Sequence, residues 1–185
     1  LSVAERLGRG RLTESLASGH LAIGDALRGD VGEAVALCRK ARSLFFVGRG
    51  PFYPVALEGA LKMKEISYIH AEGYAAGELK HGPFALLTPE TPVVAICIPG
   101  PTYRVMISNI KEIKARGAPV IGFGLPGDRE LADVVDVFLP VPGEGPWVQV
   151  LTSSVLLQLL AYHTAVIRGT DVDKPRNLAK SVTVE

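Results

Sequence analysis

The sequence predicts an α/β protein with a doubly wound, mainly parallel sheet. Three observations carry this. Three short β-prone runs, at 44–47, 93–98 and 119–123, are apolar without alternation, as strands buried on both faces of a parallel sheet are, and a fourth strand is expected at 134–141. Helical segments at 54–68, 104–116 and 147–168 lie between or after them, and strands alternating with helices imply right-handed crossovers. The length of 185 residues, 48% of them apolar, suffices for one domain with a full-sized core.

Taken in order, residues 1–30 have helical spacing, weakened by Gly8, Gly10, Gly19, Gly24 and Gly29. They read as an N-terminal arm or linker helix, with the domain proper at 31–185. Residues 31–42 form a helix that turns Val31, Val35 and Leu37 inward. The first strand, Leu44-Phe45-Phe46-Val47, ends in Gly48-Arg49-Gly50. The segment 147–167 is apolar enough to raise the question of a membrane. Gln149, Thr152, Ser153, Ser154, Gln158 and His163 interrupt it, so a buried core helix is expected instead. That helix stops at Arg168-Gly169. In the tail 171–185, Pro175 blocks a helix while charges of both signs precede a β-prone Val-Thr-Val. The tail is expected to be an ordered strap that lays Arg176, Asn177 and Lys180 against the body.

Composition narrows the function. The net charge of +1 comes from scattered Lys and Arg, so neither a nucleic-acid footprint nor a polybasic membrane patch is expected. Cys38 and Cys97 sit far apart in apolar runs, as buried free thiols do, which suits a cytoplasmic protein. His70 and Glu72 do not complete a ligand set, so no metal is expected, and no motif calls for a cofactor. A chain opening on Leu1 is expected to be a fragment or a processed product.

Three constellations carry candidate chemistry. Gly48-Arg49-Gly50 lies at the carboxyl end of a strand, where ligands bind in open α/β sheets; a plain tight turn fits it equally. Glu58, Lys62 and Glu65 are spaced i, i+4 and i+7 on one helix face. They are either a solvated ion-pair stripe or a pocket lining whose carboxylate moves a proton. Gly77-Glu78-Leu79-Lys80-His81-Gly82-Pro83 presents an imidazole on a turn, and histidine suits acid–base work near neutrality. In the tail, Lys180 can attack a ketone only as the free amine, which burial or the nearby Arg176 charge favours.

Two long segments resemble one family. Asp171-Val172-Asp173-Lys174-Pro175-Arg176-Asn177-Leu178-Ala179-Lys180-Ser181-Val182-Thr183-Val184-Glu185 is similar to the C-terminus of glutamine–fructose-6-phosphate aminotransferases. The segment from Ala56 to Glu72, followed by Ala76-Gly77-Glu78-Leu79-Lys80-His81-Gly82-Pro83, resembles their second sugar isomerase (SIS) domain. The resemblance implies a three-layer αβα sandwich and ketose-to-aldose isomerisation giving glucosamine 6-phosphate. It implies that Glu65 is the isomerisation base with Lys62 as charge partner. His81 would open the sugar ring, and Lys180 would form a Schiff base with C2. Gly48, Arg49, Gly50, Arg176, Asn177 and Ala179 would contact the substrate. It also implies a homodimer with shared sites, plus an upstream SIS domain and a glutaminase domain.

The loop after 93–98, Pro99-Gly100-Pro101-Thr102-Tyr103, departs from the Ser/Thr-rich turns that hold phosphates. The chain is therefore expected to be inactive alone. A related phosphosugar isomerase or deaminase, and a non-catalytic sugar-phosphate-binding SIS module, are the alternatives.

Overall fold

The computed structural model describes residues 18–178. Its strands are β1 (Ser43–Gly48), β2 (His70–Ala75), β3 (Val93–Ile96), β4 (Val120–Gly124) and β5 (Val137–Pro140), in one sheet of order β2-β1-β3-β4-β5. All pairings are parallel, with Ser43 beside His70 and Gly48 beside Ala75. The helices are α1 (18–27), α2 (Gly32–Cys38), α3 (Phe52–Ser67), α4 (Tyr103–Lys114), α5 (Arg129–Ala132) and α6 (Pro146–Ile167). Two 3-10 turns, Ala76–His81 and Pro83–Leu86, follow β2. After β2 the winding reverses, because β3 adds to the other side of β1.

Alternate residues of β1 show why the sheet is a middle layer. Leu44 and Phe46 join a core with α2, α3 and α6, while Phe45 and Val47 join one with α4 and α5. All four are at most 1% exposed, each contributing on the order of 2 kcal/mol of burial. The unbroken apolar run is thus what two-sided burial requires, and the three-layer αβα sandwich is present.

Two elements differ from expectation. The edge strand β2, His70-Ala71-Glu72-Gly73-Tyr74-Ala75, has no apolar run because it pairs on one side only; edges tolerate such residues. The last strand starts at Val137, three residues after 134, since Val134 and Val135 lie in the turn after α5. Asp128 caps α5, its Oδ1 accepting from the Leu131 amide at 3.0 Å.

Helix α6 is long and apolar enough to cross a membrane by length and composition alone. Here Leu156, Leu157, Leu160 and Ala161 are buried in the core shared with α3. Its end is tied to the end of α3: Arg168 Nε donates to the Ser67 carbonyl (3.1 Å), and Thr170 Oγ1 to that of Ile66 (2.6 Å).

Candidate active site

Helix α3 buries Ala56, Gly59, Ala60 and Met63 and leaves Glu58, Lys62 and Glu65 on its other side. Lys62 Nζ lies 2.6 Å from Glu65 Oε2 and 3.8 Å from Glu58 Oε1. The three therefore form a connected ion-pair row, as their spacing predicts. Hydrogen bonding to Glu65 pushes the Lys62 ammonium above its ordinary pKa, against a smaller opposing effect of burial. Lys62 is thus a fixed cation at neutral pH, a charge partner rather than an amine nucleophile. The Lys62 and Glu65 side chains are 32% and 27% exposed, within reach of a ligand.

The strap beyond α6 comes to this end of α3. Asp171 Oδ1 accepts from the Asp173 and Lys174 amides, both at 3.0 Å, which turns the chain. The Arg176 amide then donates to Tyr68 Oη at 2.9 Å, and the guanidinium sits 4.2 Å from the Tyr68 ring centroid. Tyr68 ends α3 in the left-handed region, φ 60°. A cleft of about 270 Å³ lies between Leu61, Lys64, Glu65 and Tyr68 on one side and Arg176, Asn177 and Leu178 on the other. The structure thus brings Arg176 and Asn177 to Glu65. Ala179 and Lys180 lie outside the described residues.

The other candidates lie elsewhere. Gly48-Arg49-Gly50 connects β1 to the start of α3. A Cβ at Gly48 would fall 2.2 Å from the Phe52 carbonyl oxygen, so a side chain there is excluded and the turn is tight. Arg49 is half-buried, and its Nε donates to Asn109 Oδ1 at 3.1 Å. His81 ends the first 3-10 turn, exposed at the same sheet edge. From Phe52 to Glu65 the helix rises roughly 20 Å at 1.5 Å per residue. Gly48, Arg49, Gly50 and His81 therefore occupy the carboxyl edge of the sheet, and Glu65 with the strap the opposite end.

The loop before α4 offers no phosphate cradle among the described residues. Thr102 makes no side-chain cap, and the Tyr103 amide donates to the Gly100 carbonyl. Nor is there, among the described residues, a group of three or more His, Cys, Asp or Glu able to hold a metal ion. A larger hollow of about 450 Å³ between α2 and α6 is lined mainly by aliphatic residues and holds none of the candidates.

Sequence reasoning missed Tyr68, Asn109 and Glu112. Asn109 had a signal: a polar residue among Met106, Ile107, Ile110 and Ile113 on the buried face of α4. Tyr68 had none, since its partner lies 108 residues on.

Comparison with known proteins agrees with this architecture. The chain is 59% identical over 157 residues to the glutamine–fructose-6-phosphate aminotransferase (isomerizing) of Methanosarcina acetivorans, covering 83% of this chain and 25% of that protein. It thus spans about a quarter of the length of such curated relatives. Among solved structures, the C-terminal domain of glucosamine-fructose-6-phosphate aminotransferase from Francisella tularensis superposes with a TM-score of 0.74 at 35% identity, over 89% of this chain and 45% of that one. Glucosamine-6-phosphate deaminase from Thermotoga maritima gives 0.70 at 27% identity, over 95% and 50%. The SIS domain model matches residues 37–168, and the chain belongs to the SIS domain family.

Proposed function

We propose that this chain is the isomerase part of a glutamine–fructose-6-phosphate aminotransferase, converting fructose 6-phosphate and ammonia into glucosamine 6-phosphate and water. The observation that carries the reading is the docking of Arg176 and Asn177 beside the Lys62–Glu65 pair. Leu178, two residues before Lys180 in sequence, lines the same cleft.

In this scheme His81 assists opening of the sugar ring. The Lys180 amine adds to the C2 ketone and water leaves, giving an imine. Ammonia then displaces the lysine at C2. Glu65 takes a proton from C1 and C2 gains one, while the C1 hydroxyl proton passes to the nitrogen as C1 becomes the aldehyde and C2 the amine, so no oxidant or reductant is needed. Lys62 holds positive charge beside the Glu65 carboxylate, 2.6 Å from Oε2. No metal or cofactor is called for.

The phosphate cradle and the ammonia come from an upstream SIS domain and a glutaminase domain, and the working form is a homodimer. Cys38 and Cys97 are free, buried, and pushed up to about 12 by desolvation, which suits a cytoplasmic setting. The same groups could run a deaminase in reverse. The 27% likeness to a deaminase supports that less than the 59% identity to an aminotransferase supports synthesis.

Reductive trapping tests the assignment. Full-length protein incubated with labelled fructose 6-phosphate and borohydride should become covalently labelled at Lys180. Lys180→Ala should lose the label. Labelling of the Ala variant at the parent level would overturn the Schiff-base role.

A further inference from the structure

We propose that Asn109 and Glu112 of α4 are positioning residues that hold the turn carrying His81 so that its imidazole projects, unpaired, toward a substrate. The inference rests on the reading of His81 as the ring-opening group.

The turn is held on both sides of His81. Before it, Lys80 Nζ lies 2.8 Å from Glu112 Oε1, and Glu112 Oε2 accepts from Asn109 Nδ2 at 3.3 Å. Asn109 Oδ1 in turn accepts from Arg49 Nε at 3.1 Å. The Arg49 guanidinium closes the chain on the turn itself: a Cβ at Gly77 would fall 2.4 Å from Arg49 Nη2, so only glycine lets it lie there. After His81, Arg116 sits 3.8 Å over the Phe84 ring, and its Nη1 donates to the Glu112 carbonyl at 2.6 Å. Helix α4 through Glu112 and the turn after it through Arg116 thus hold Lys80 and Phe84, the residues flanking His81-Gly82-Pro83.

Burial fixes the middle of the network at Asn109, while the Lys80 and Glu112 side chains are 50% and 30% exposed. Asn109 is 3% exposed, and a buried amide is costly unless both its ends are bonded. The Lys80 hydrogen bond holds the Glu112 carboxyl below the usual carboxylate range, with Asn109 and Arg116 adding to the effect. Glu112 is therefore ionised at neutral pH and the chain runs cation, amide, carboxylate, cation. The His81 ring has no hydrogen-bond or ion-pair partner among the described residues. Lys80 and Phe84 are tied to partners while the imidazole between them has none among the described residues.

The test compares two substrates in the full-length enzyme. Fructose 6-phosphate closes a furanose through its 5-hydroxyl, whereas 5-deoxyfructose 6-phosphate stays open and bypasses ring opening. Glu112→Ala should lower kcat on the ring-closing substrate roughly 10- to 100-fold, the scale of a misplaced catalytic group. KM and turnover of the 5-deoxy analogue should stay near the parent's. Glu112→Gln, which keeps the Asn109 bond, should be milder and guards against misfolding. Lys80→Glu combined with Glu112→Lys should recover part of the loss. Equal losses on both substrates would mean a purely structural role and overturn the proposal. So would no loss in Glu112→Ala while His81→Ala shows the selective loss, which leaves the reading of His81 standing. Absence of a selective loss in His81→Ala itself sinks that reading and this proposal with it.

Discussion

Glu65 and His81 are sixteen residues apart in sequence yet sit at opposite ends of one βαβ unit. Around Glu65 the surface is a small cleft, with a fixed cation on one side and a strap on the other. His81 instead stands exposed on a braced turn. Strand β2 separates them, carrying the chain from the end of α3 to the carboxyl edge. Moving either residue to the other would require unpairing β2 from β1. Under the proposed roles, a single copy of this chain keeps the two candidate groups at opposite ends of this unit. A C2 dimer in which each protomer completes the other's site would bring them together.

The largest expected effect falls on the cleft end. Glu65→Gln keeps the shape and can still accept from Lys62, but it cannot take up a proton. Proton exchange between C1 and C2 should drop roughly 10²- to 10⁴-fold, while borohydride trapping at Lys180 persists. Isotope exchange followed by NMR separates the two steps. Loss of trapping together with exchange would show that Glu65 supports binding instead of proton transfer.

The comparison itself is broken or kept by mixing subunits. Full-length His81→Ala and Lys180→Ala proteins should each be inactive. If His81 serves the partner's Glu65 and Lys180, a 1:1 exchanged mixture should regain roughly a quarter of parental activity, because half the dimers are mixed and each has one intact site of two. A mixture as inactive as either parent, with subunit exchange verified separately, places all three groups in one chain's site.

What the sequence made legible, and what it hid, follows the same division. β1, β3 and β4 were readable because burial on both faces demands unbroken apolar runs. β2 was not, since an edge strand half-open to solvent can be built from His, Glu and Gly. The Glu58–Lys62–Glu65 row was readable because helix spacing alone brings i and i+4 together. Their distance from Gly48-Arg49-Gly50 was readable too, because α3 starts directly after that turn and rises about 1.5 Å per residue; the return of the strap to Tyr68 was not, because it joins residues 108 apart. The network from Arg49 through Asn109 to Lys80 joins three elements by side chains alone. Only the polar Asn109 within an apolar helix face hinted at it.

The smallest expected effect concerns the anchor of the strap. Tyr68 holds Arg176 twice, by accepting from its amide and by lying under its guanidinium. Tyr68→Phe removes only the hydrogen bond, a neutral contact contributing about 0.5–1.5 kcal/mol. Tyr68→Leu also removes the ring, about 0.5–1 kcal/mol more at an exposed site. Since 1.4 kcal/mol is about tenfold in population, the strap should be undocked a few-fold more often in the Phe variant and about tenfold more in the Leu variant. The global melting temperature should barely move, because the core does not include the strap. Trypsin reports this directly: Pro175 protects the bond after Lys174, so cleavage after Arg176 measures undocking. Cleavage should speed up in the order parent, Phe, Leu, with turnover falling in the same order. Unchanged cleavage in Tyr68→Leu would mean that something other than Tyr68 holds the strap beside Glu65.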